Sequence, residues 1–402
     1  MKNLTLIGVD IGSYNISIST GEIDSIGDLH IIDSCSRKSD GITEGLIEDK
    51  EKLADVLKPM LDSITKDKEN SIISVGITGR ETRVAYNHSE ISIKNRVISS
   101  SDINKLIKEG RDLLVTGKDE IIIDTIILDY LIDNRSIKAD IIGWKGKKVQ
   151  ANLCHVIGKK YITDDYYDIF NNLGYNVHKL VPDIVASRKF FLENSFGDTA
   201  LIDIGNDITD IGIYCNDIPG EIFSIPVGGK EITDGISKSF NLPKGESQKL
   251  KEIYSSGYKT LEGIEEDFNS RIGTVSIDRK QLTEVIDKEI EKILKIVTLL
   301  LKKASCYDKI GSIILYGDGI VNFEEIKRTA SSIFDKKITV IAKNAYNLQN
   351  SSTILSLSIV KDTYDELKLL YKNVDLKEHK KDNIYNNNNN IFKLKNILKG
   401  FF

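Results

Sequence analysis

Residues 5–20 read TLIGVDIGSYNISIST, and residues 200–215 read ALIDIGNDITDIGIYC. Both follow one plan: a hydrophobic run, then Asp-Ile-Gly, then polar turn residues, then a stretch alternating apolar and polar. Period-2 patterning on both sides of a glycine turn predicts a β-hairpin. Further strand-like runs and a helical segment follow each copy. Two copies set half a chain apart predict two lobes built on one βαβ-type plan.

Between the copies, residues 71–77, 120–133 and 149–157 read as strands, and residues 101–114, 164–173 and 181–193 as helices. After the second copy, residues 230–240 and 244–255 read as helices. A longer helix over 279–304 carries Leu282, Val285, Ile286, Ile290, Ile293, Leu294, Val297 and Leu301 at spacings of three and four. It spans too few heptads for a coiled coil and reads as a core helix. A buried strand over 312–315 runs to Gly317-Asp318-Gly319, with a helix from about residue 323. Residues 373–390 turn charged and then become a run of Asn, the composition of a flexible linker.

With 402 residues, 40% hydrophobic and 29% charged, the chain buries a large core in two or more lobes. A net charge of −5 argues against the broad basic surface of a nucleic-acid binder. Cys35, Cys154, Cys215 and Cys306 have no metal-ligand or CxxC spacing and read as thiols of a reducing compartment. The start, MKNLTLIGVDIG, predicts no signal peptide, and no run of ~18 apolar residues predicts a spanning helix. The expectation is a cytoplasmic protein. His155 and His178 lie in apolar surroundings and read as core or boundary histidines, and Trp144 as the anchor of a turn. No nucleophile–base constellation can be read from spacing.

A turn with Asp and Gly between two strands suits phosphate, because Gly lets backbone N–H groups approach the oxygens and a carboxylate can hold Mg²⁺. A lone copy is often only a turn. Two copies facing each other would clamp a triphosphate, with Asp10 and Asp203 flanking the metal and the attacking water. Glycine after the buried strand at 312–315 lets a flat base or ribose approach the backbone.

These elements resemble the actin, sugar-kinase and heat-shock chaperone superfamily. Residues 10–15 look like its first phosphate motif, residues 203–210 its second and residues 313–319 its adenosine motif. Within it the match is closest to the FtsA family and extends over nearly the whole chain. Gly45-Leu46-Ile47-Glu48-Asp49, Val75-Gly76-Ile77-Thr78-Gly79, residues 96–102, the turn Gly143-Trp144-Lys145-Gly146, residues 183–187 and Pro226-Val227-Gly228-Gly229 with Ile232-Thr233-Asp234 resemble that family in order and spacing. The resemblance implies ATP and Mg²⁺ as cofactors. It implies catalytic and metal roles for Asp10 and Asp203, and nucleotide contacts from Gly12, Ser13, Tyr14, Asn15, Gly205, Asn206, Thr209, Gly229, Gln248, Lys251, Gly317, Asp318 and Gly319.

Three positions depart from the family pattern. Asn206-Asp207-Ile208-Thr209 replaces Gly-Gly-Thr-Thr, so Asp207 sets a carboxylate where phosphate oxygens come close. Gln248 replaces a Glu near the ribose, and Asp318 interrupts three small residues. Two readings stand: drift with binding retained, or weak to absent hydrolysis.

Residues 391–402 read IFKLKNILKGFF. As a helix, Ile391, Leu394, Ile397, Leu398, Phe401 and Phe402 fall within an arc of ~140°. Phe392 lies off that arc, while Lys393, Lys395 and Lys399 flank it, where their stems can snorkel. The alternatives are a helix docked on the core and a membrane-binding helix; the Asn-rich tether favours the second.

The expected architecture is an α/β, actin-like two-lobed fold of duplicated RNase H-like domains. Lobe I takes residues 1–84, 161–196 and 351–375, and an FtsA-type inserted subdomain 85–160. Lobe II has an inner part at 197–230 and 305–350 and an outer part at 231–304. A linker over 376–390 and an amphipathic helix over 391–402 follow. The resemblance implies an ATP-binding protein, at most a weak ATPase, that polymerises on the inner face of the cytoplasmic membrane at the division site. It further implies FtsZ filaments and other divisome proteins as partners, the FtsZ contact on the outer part of lobe II, and self-association through the insert. The rival readings are an actin-fold platform protein of a pilus or secretion machine, a nucleotide-binding scaffold without hydrolysis, and a small-molecule kinase or chaperone of the same fold.

Overall fold

The computed structural model describes residues 4–378 except 66, 95, 193–196, 256–270, 273–274, 324 and 343–352. Leu4–Ile11 (β1) and Asn15–Ile23 (β2) form the first hairpin, and Leu29–Lys38 (β3) extends it. A small hairpin of Ile42–Thr43 (β4) and Leu46–Ile47 (β5) leads into Lys50–Ile64 (α1). Asp49 caps α1 by accepting from the N–H groups of Glu51 and Lys52, while Leu53, Leu57, Met60, Leu61 and Ile64 bury one face. Ser71–Ile77 (β6) then lies parallel to β1.

The chain next leaves the lobe. Arg83–Ser92 (β7), Ser100–Leu113 (α2), Glu120–Ile132 (β8), Arg135–Ile137 (β9) and Lys148–Lys159 (β10) make a separate sheet, ordered β7-β10-β8-β9, with its own apolar core against α2. Ser99 and Asp102 start α2 with a capping box. Lys160–Asn172 (α3) and Val177–Pro182 (β11) return to the first lobe and complete the sheet β11-β6-β1-β2-β3.

Two short helices, Asp183–Ala186 (α4) and Arg188–Phe191 (α5), lead to the second lobe. There follow Thr199–Ile204 (β12), Thr209–Cys215 (β13), Ile218–Ile225 (β14), Lys230–Phe240 (α6), Lys244–Ser255 (α7), Arg271–Ile272 (β15), Val275–Ser276 (β16) and Arg279–Leu301 (α8). Ser312–Tyr316 (β17), Ile326–Ile333 (α9), Lys337–Val340 (β18) and Ile354–Glu378 (α10) end the described chain. The second sheet is ordered β14-β13-β12-β17-β18. In both sheets three antiparallel strands precede two parallel ones. The repeated Asp-Ile-Gly hairpin is thus the start of a duplicated fold.

The last helix ties the chain back to its beginning. α10 lies so close to β1 that a Cβ on Gly8 would stand 2.2 Å from the carbonyl oxygen of Ser356. Ser19 and Ser356 share a hydrogen bond of 2.7 Å, and Thr363 donates to Ser74 at 2.7 Å.

Several expectations change. The helix expected over 181–193 begins instead as β11, whose apolar run is buried between a parallel neighbour and the core; such a strand lacks the alternation that marks an exposed one. A break at Ser187 then splits the remainder into α4 and α5, and residue 193 lies outside the described residues. The long helix stops at Leu301, three residues early. Trp144 serves its turn through its backbone, bonding Ile141 and Ile98, while its side chain stays half exposed. α10 runs three residues into the expected linker; the rest of that linker, and the tail at 391–402, lie outside the described residues.

Candidate functional site

Asp10 and Asp203 are each the penultimate residue of the first strand of their lobe, so the duplication presents one carboxylate from either side. Between them lies a cavity of about 560 Å³. Gly12, Ser13, Tyr14 and Asn15 line it from the first turn, and Gly205 and Asn206 from the second. Gln248 and Lys251 of α7 and the Gly317-Asp318-Gly319 turn after β17 complete the lining. At Gly317 the backbone has φ +91°, and a Cβ would meet Asp203 Oδ1 at 2.2 Å, so this turn can pack onto β12 only as glycine.

Two expected nucleotide contacts do not face the cavity. Thr209 is fully buried and donates to the Val227 carbonyl at 2.7 Å. Gly229 donates from its N–H to the Gly205 carbonyl at 2.9 Å and lies against Gly319. Both brace the wall from behind.

The cavity floor is strongly acidic. Strand register sets Asp210 directly opposite Asp203, whereas the matching position across from Asp10 is Ser17, which donates to Asp10 Oδ2 at 3.1 Å. Burial pushes the Asp10 carboxyl up to about 7; the Ser17 hydrogen bond opposes the rise and the charge of Asp318 adds to it. Burial, then the charges of Asp210, Asp10 and Asp318, raise Asp203 well above the usual carboxylate range. Asp183, at the start of α4, is raised by burial and by Asp10, Asp203 and Asp210. It fits because Gly76 has no side chain: a Cβ there would stand 1.9 Å from Asp183 Oδ1. Asp210, raised mainly by burial, accepts from the Gly79 N–H at 2.8 Å and from the Thr78 hydroxyl at 3.3 Å, which links the lobes. The Oδ1 atoms of Asp183 and Asp210 have no hydrogen-bond partner.

The three departures from the family pattern each have partners. Asp207 accepts from Asn206 Nδ2 at 2.6 Å and from the backbone N–H of Glu44 at 3.3 Å. Gln248 accepts from the Thr233 hydroxyl at 2.6 Å and donates to Glu252 at 3.0 Å; a glutamate there would face Glu252 as a like charge. Glu252 also accepts from the Tyr14 hydroxyl across the cleft. Asn322 donates to Asp318 at 3.4 Å. Lys251, brought down to about 8 by burial against the pull of the surrounding carboxylates, donates to the Gly229 carbonyl at 2.9 Å and to Asn206 at 3.3 Å.

Sequence reasoning left Asp183, Asp210 and Glu252 unassigned. A signal existed for Asp210: a hairpin symmetrical about Asn206–Asp207 pairs it with Asp203. Asp183 and Glu252 reach the cavity only through the packing of α4 and α7.

Residues 200–358 match the family model of the cell division protein FtsA, and residues 79–158 match that of the SHS2 domain inserted in FtsA, which contains the separate sheet β7-β10-β8-β9. The chain belongs to the FtsA family. FtsA of Pseudomonas aeruginosa is 22% identical over 391 residues, covering 89% of this chain and 93% of its own. FtsA of Buchnera aphidicola subsp. Baizongia pistaciae is 26% identical, covering 90% of each. The actin-like fold is shared more widely than FtsA. A chain of the PilM–PilN type IV pilus biogenesis complex aligns at TM-score 0.60 and 12% identity, over 89% of this chain and 98% of that one. MreB5 of Spiroplasma citri bound to ADP aligns at TM-score 0.53 and 13% identity, over 92% and 98%.

Proposed function

We propose that this FtsA-family protein works in cell division: it binds ATP between its lobes, polymerises on the inner face of the cytoplasmic membrane and anchors FtsZ filaments at the division site. One observation carries the nucleotide reading: Asp10 and Asp203, from the two copies of the hairpin, line one cavity with glycine turns on both sides. Membership in the family and the ADP of the MreB5 structure support it.

The residues fit a magnesium ion. Asp183 and Asp210 leave buried carboxylate oxygens without partners, and burial without a countercharge raises Asp10. Among the described residues no group of three His, Cys, Asp or Glu side chains could hold an ion. An ion held by Asp10 and Asp203 would therefore draw its other ligands from phosphate oxygens and water, the usual habit of Mg²⁺. When bound, it would neutralise charge developing on the phosphate. The chain's own residues orient the nucleotide: Lys251 and Asn206 hold the second phosphate turn, and Gln248 and Glu252 tie α7 to Tyr14.

Membrane attachment rests on the sequence of residues 391–402, which carry an apolar arc flanked by lysines. No helix among the described residues is long and apolar enough to cross a membrane. The outer part of lobe II, with α6, α7 and α8, is the proposed FtsZ contact, and the insert the proposed surface for self-association; other divisome proteins would join there. The pilus-platform reading shares the fold, but the family models and the relatives covering nine-tenths of the chain favour FtsA. A fluorescent fusion in dividing cells should gather at mid-division with FtsZ. A fusion that stays away from the division site, joined to failure to bind FtsZ and capture of a pilus platform component, would overturn the reading.

A further inference from the structure

Glu252 of α7 is half-buried and lines the cavity beside Gln248 and Lys251. Two donors fix one of its carboxylate oxygens: Oε1 accepts from the Tyr14 hydroxyl across the cleft and from Gln248 Nε2 at 3.0 Å. Both donors are themselves held. The carbonyl oxygen of the Gln248 side chain accepts from the Thr233 hydroxyl at 2.6 Å, so its amide nitrogen is the end turned to Glu252. The backbone carbonyl of Tyr14 accepts from the Ser39 N–H at 2.8 Å, and Lys38 Nζ stands 5.3 Å from the centroid of its ring. The other oxygen of Glu252, Oε2, takes no hydrogen bond from any described residue.

This carboxylate keeps its charge. Burial works against ionisation, but the bonds from Tyr14 and Gln248 and the charges of Lys38 and Lys251 outweigh it and hold the group below its ordinary value. An ionised carboxylate accepts hydrogen bonds and donates none, so Oε2 repels phosphate oxygens and calls for a donor. A nucleotide brings donors of two kinds, the hydroxyls of its sugar and the amine of its base. Position selects the sugar. Glu252 bonds a residue of the first phosphate turn, and its neighbour Lys251 bonds Asn206 of the second. A group braced between the two turns stands next to the phosphate chain, where the sugar joins it, whereas the base amine lies at the far end of the molecule.

We propose that Glu252 makes this cleft selective for ribonucleotides, accepting from the ribose hydroxyls at Oε2 while Oε1 stays on Tyr14 and Gln248. Gln248, where the family pattern has a glutamate, serves here as the brace that orients the carboxylate one helical turn further along α7. This inference rests on the nucleotide reading.

The test uses the full chain with Mg²⁺ and three ligands: ATP, its dideoxy form lacking both ribose hydroxyls, and purine riboside triphosphate, which keeps the sugar and lacks the amine. Calorimetry measures each, and thermal melts establish that the variants are folded. The native chain should bind ATP at least about tenfold more tightly than the dideoxy form, the scale of a hydrogen bond to a charged group. Purine riboside triphosphate should bind like ATP. Glu252→Ala should bind ATP and the dideoxy form alike, and Glu252→Gln, which keeps an acceptor without the charge, should retain part of the preference. Equal affinity of the native chain for ATP and the dideoxy form, or a preference undiminished in Glu252→Ala, would overturn the inference and leave the nucleotide reading intact. So would discrimination against purine riboside triphosphate that disappears in Glu252→Ala, because the carboxylate would then read the base. Failure of all three ligands to bind would overturn both.

Discussion

Asp207 in the second phosphate turn accepts a hydrogen bond of 3.3 Å from the backbone N–H of Glu44, a residue of the opposite lobe held at φ 49°. Arg80 donates to the Glu44 carbonyl at 3.0 Å, and the neighbouring Gly45 N–H donates to Ser13 at 3.2 Å. The aspartate that departs from the family's glycine-rich turn therefore joins the lobes across the mouth of the cleft.

Asp207 thus has two opposing effects on a nucleotide: its charge repels phosphate, and its hydrogen bond draws the lobes together. Asp207→Asn keeps an acceptor for the Glu44 N–H and removes the charge. It should tighten Mg-ATP about tenfold, equivalent to ~1.4 kcal/mol. Asp207→Gly removes both effects and should tighten less. Calorimetry on both variants decides; weaker binding by Asp207→Asn would make the carboxylate a metal ligand.

Asp203 and Asp210 face each other directly across the hairpin. Turnover of ATP by the native protein should lie far below ~10 per second, a common enzyme value, and Asp203→Ala should remove what remains. The same variant should melt higher in nucleotide-free buffer, since like charges directly opposed in a sheet cost up to ~1 kcal/mol. Phosphate release and thermal melts read the two effects separately. A lower melting point would mean that Asp203 is held by attraction in the empty cleft.

His155 predicts a pH dependence that has nothing to do with nucleotide. It is fully buried in the insert, and its Nε2 lies 2.8 Å from Asn87 Oδ1. Asn87 Nδ2 donates to the Gly110 carbonyl, so Oδ1 accepts from Nε2–H, and Nδ1 accepts from Thr125 at 3.0 Å. Burial, aided by the charge of Arg111, brings the imidazole down to about 4 from an ordinary 6.5. Between these values the unfolded chain binds the extra proton and the folded chain does not. The stabilisation is therefore complete above about pH 6.5 and is lost as pH falls towards 4, by about 3 kcal/mol in all. Denaturant melts from pH 7.5 to 4.5 should slope less steeply for His155→Gln than for the native chain. Parallel slopes would refute the assignment.

Removal of residues 391–402 should leave a folded protein that no longer sediments with anionic vesicles. Leu398→Glu should act nearly as strongly, because it puts a charge in the centre of the apolar arc. One tail alone should bind marginally and an array on a filament more tightly through effective concentration, so the loss should be sharpest under polymerising conditions. Equal sedimentation with and without the tail would show that attachment lies elsewhere.

Where local pattern and environment agree, the elements were legible in the residues. The helices at 230–240 and 244–255 fall where their periodicity puts them, and α8 begins at Arg279 behind its Asp278 cap. α10 was hidden because Ser356, Ser358 and Thr363 look like loop or strand residues. Each satisfies its hydroxyl on a carbonyl of the preceding helical turn, and small side chains are what let α10 reach Gly8. β11 was hidden because its last three residues, Leu180, Val181 and Pro182, are all buried and display no alternation.

The sequence by itself determined the duplication, because a β-hairpin is a local object whose turn chemistry and alternation are written in consecutive residues. By the same route it determined that Asp10 and Asp203 are the penultimate residues of equivalent strands. Only the tertiary structure decided which carboxylates meet. Asp183 comes from a helix start beside Gly76, Asp318 from a glycine turn pressed onto β12, and Asp207 bonds a residue of the other lobe. Only it, too, decided that Thr209 and Gly229 stand behind the wall. Electrostatic fields and hydrogen bonds depend on distance in space, and chain spacing says little about that distance until strands and helices from both lobes have packed.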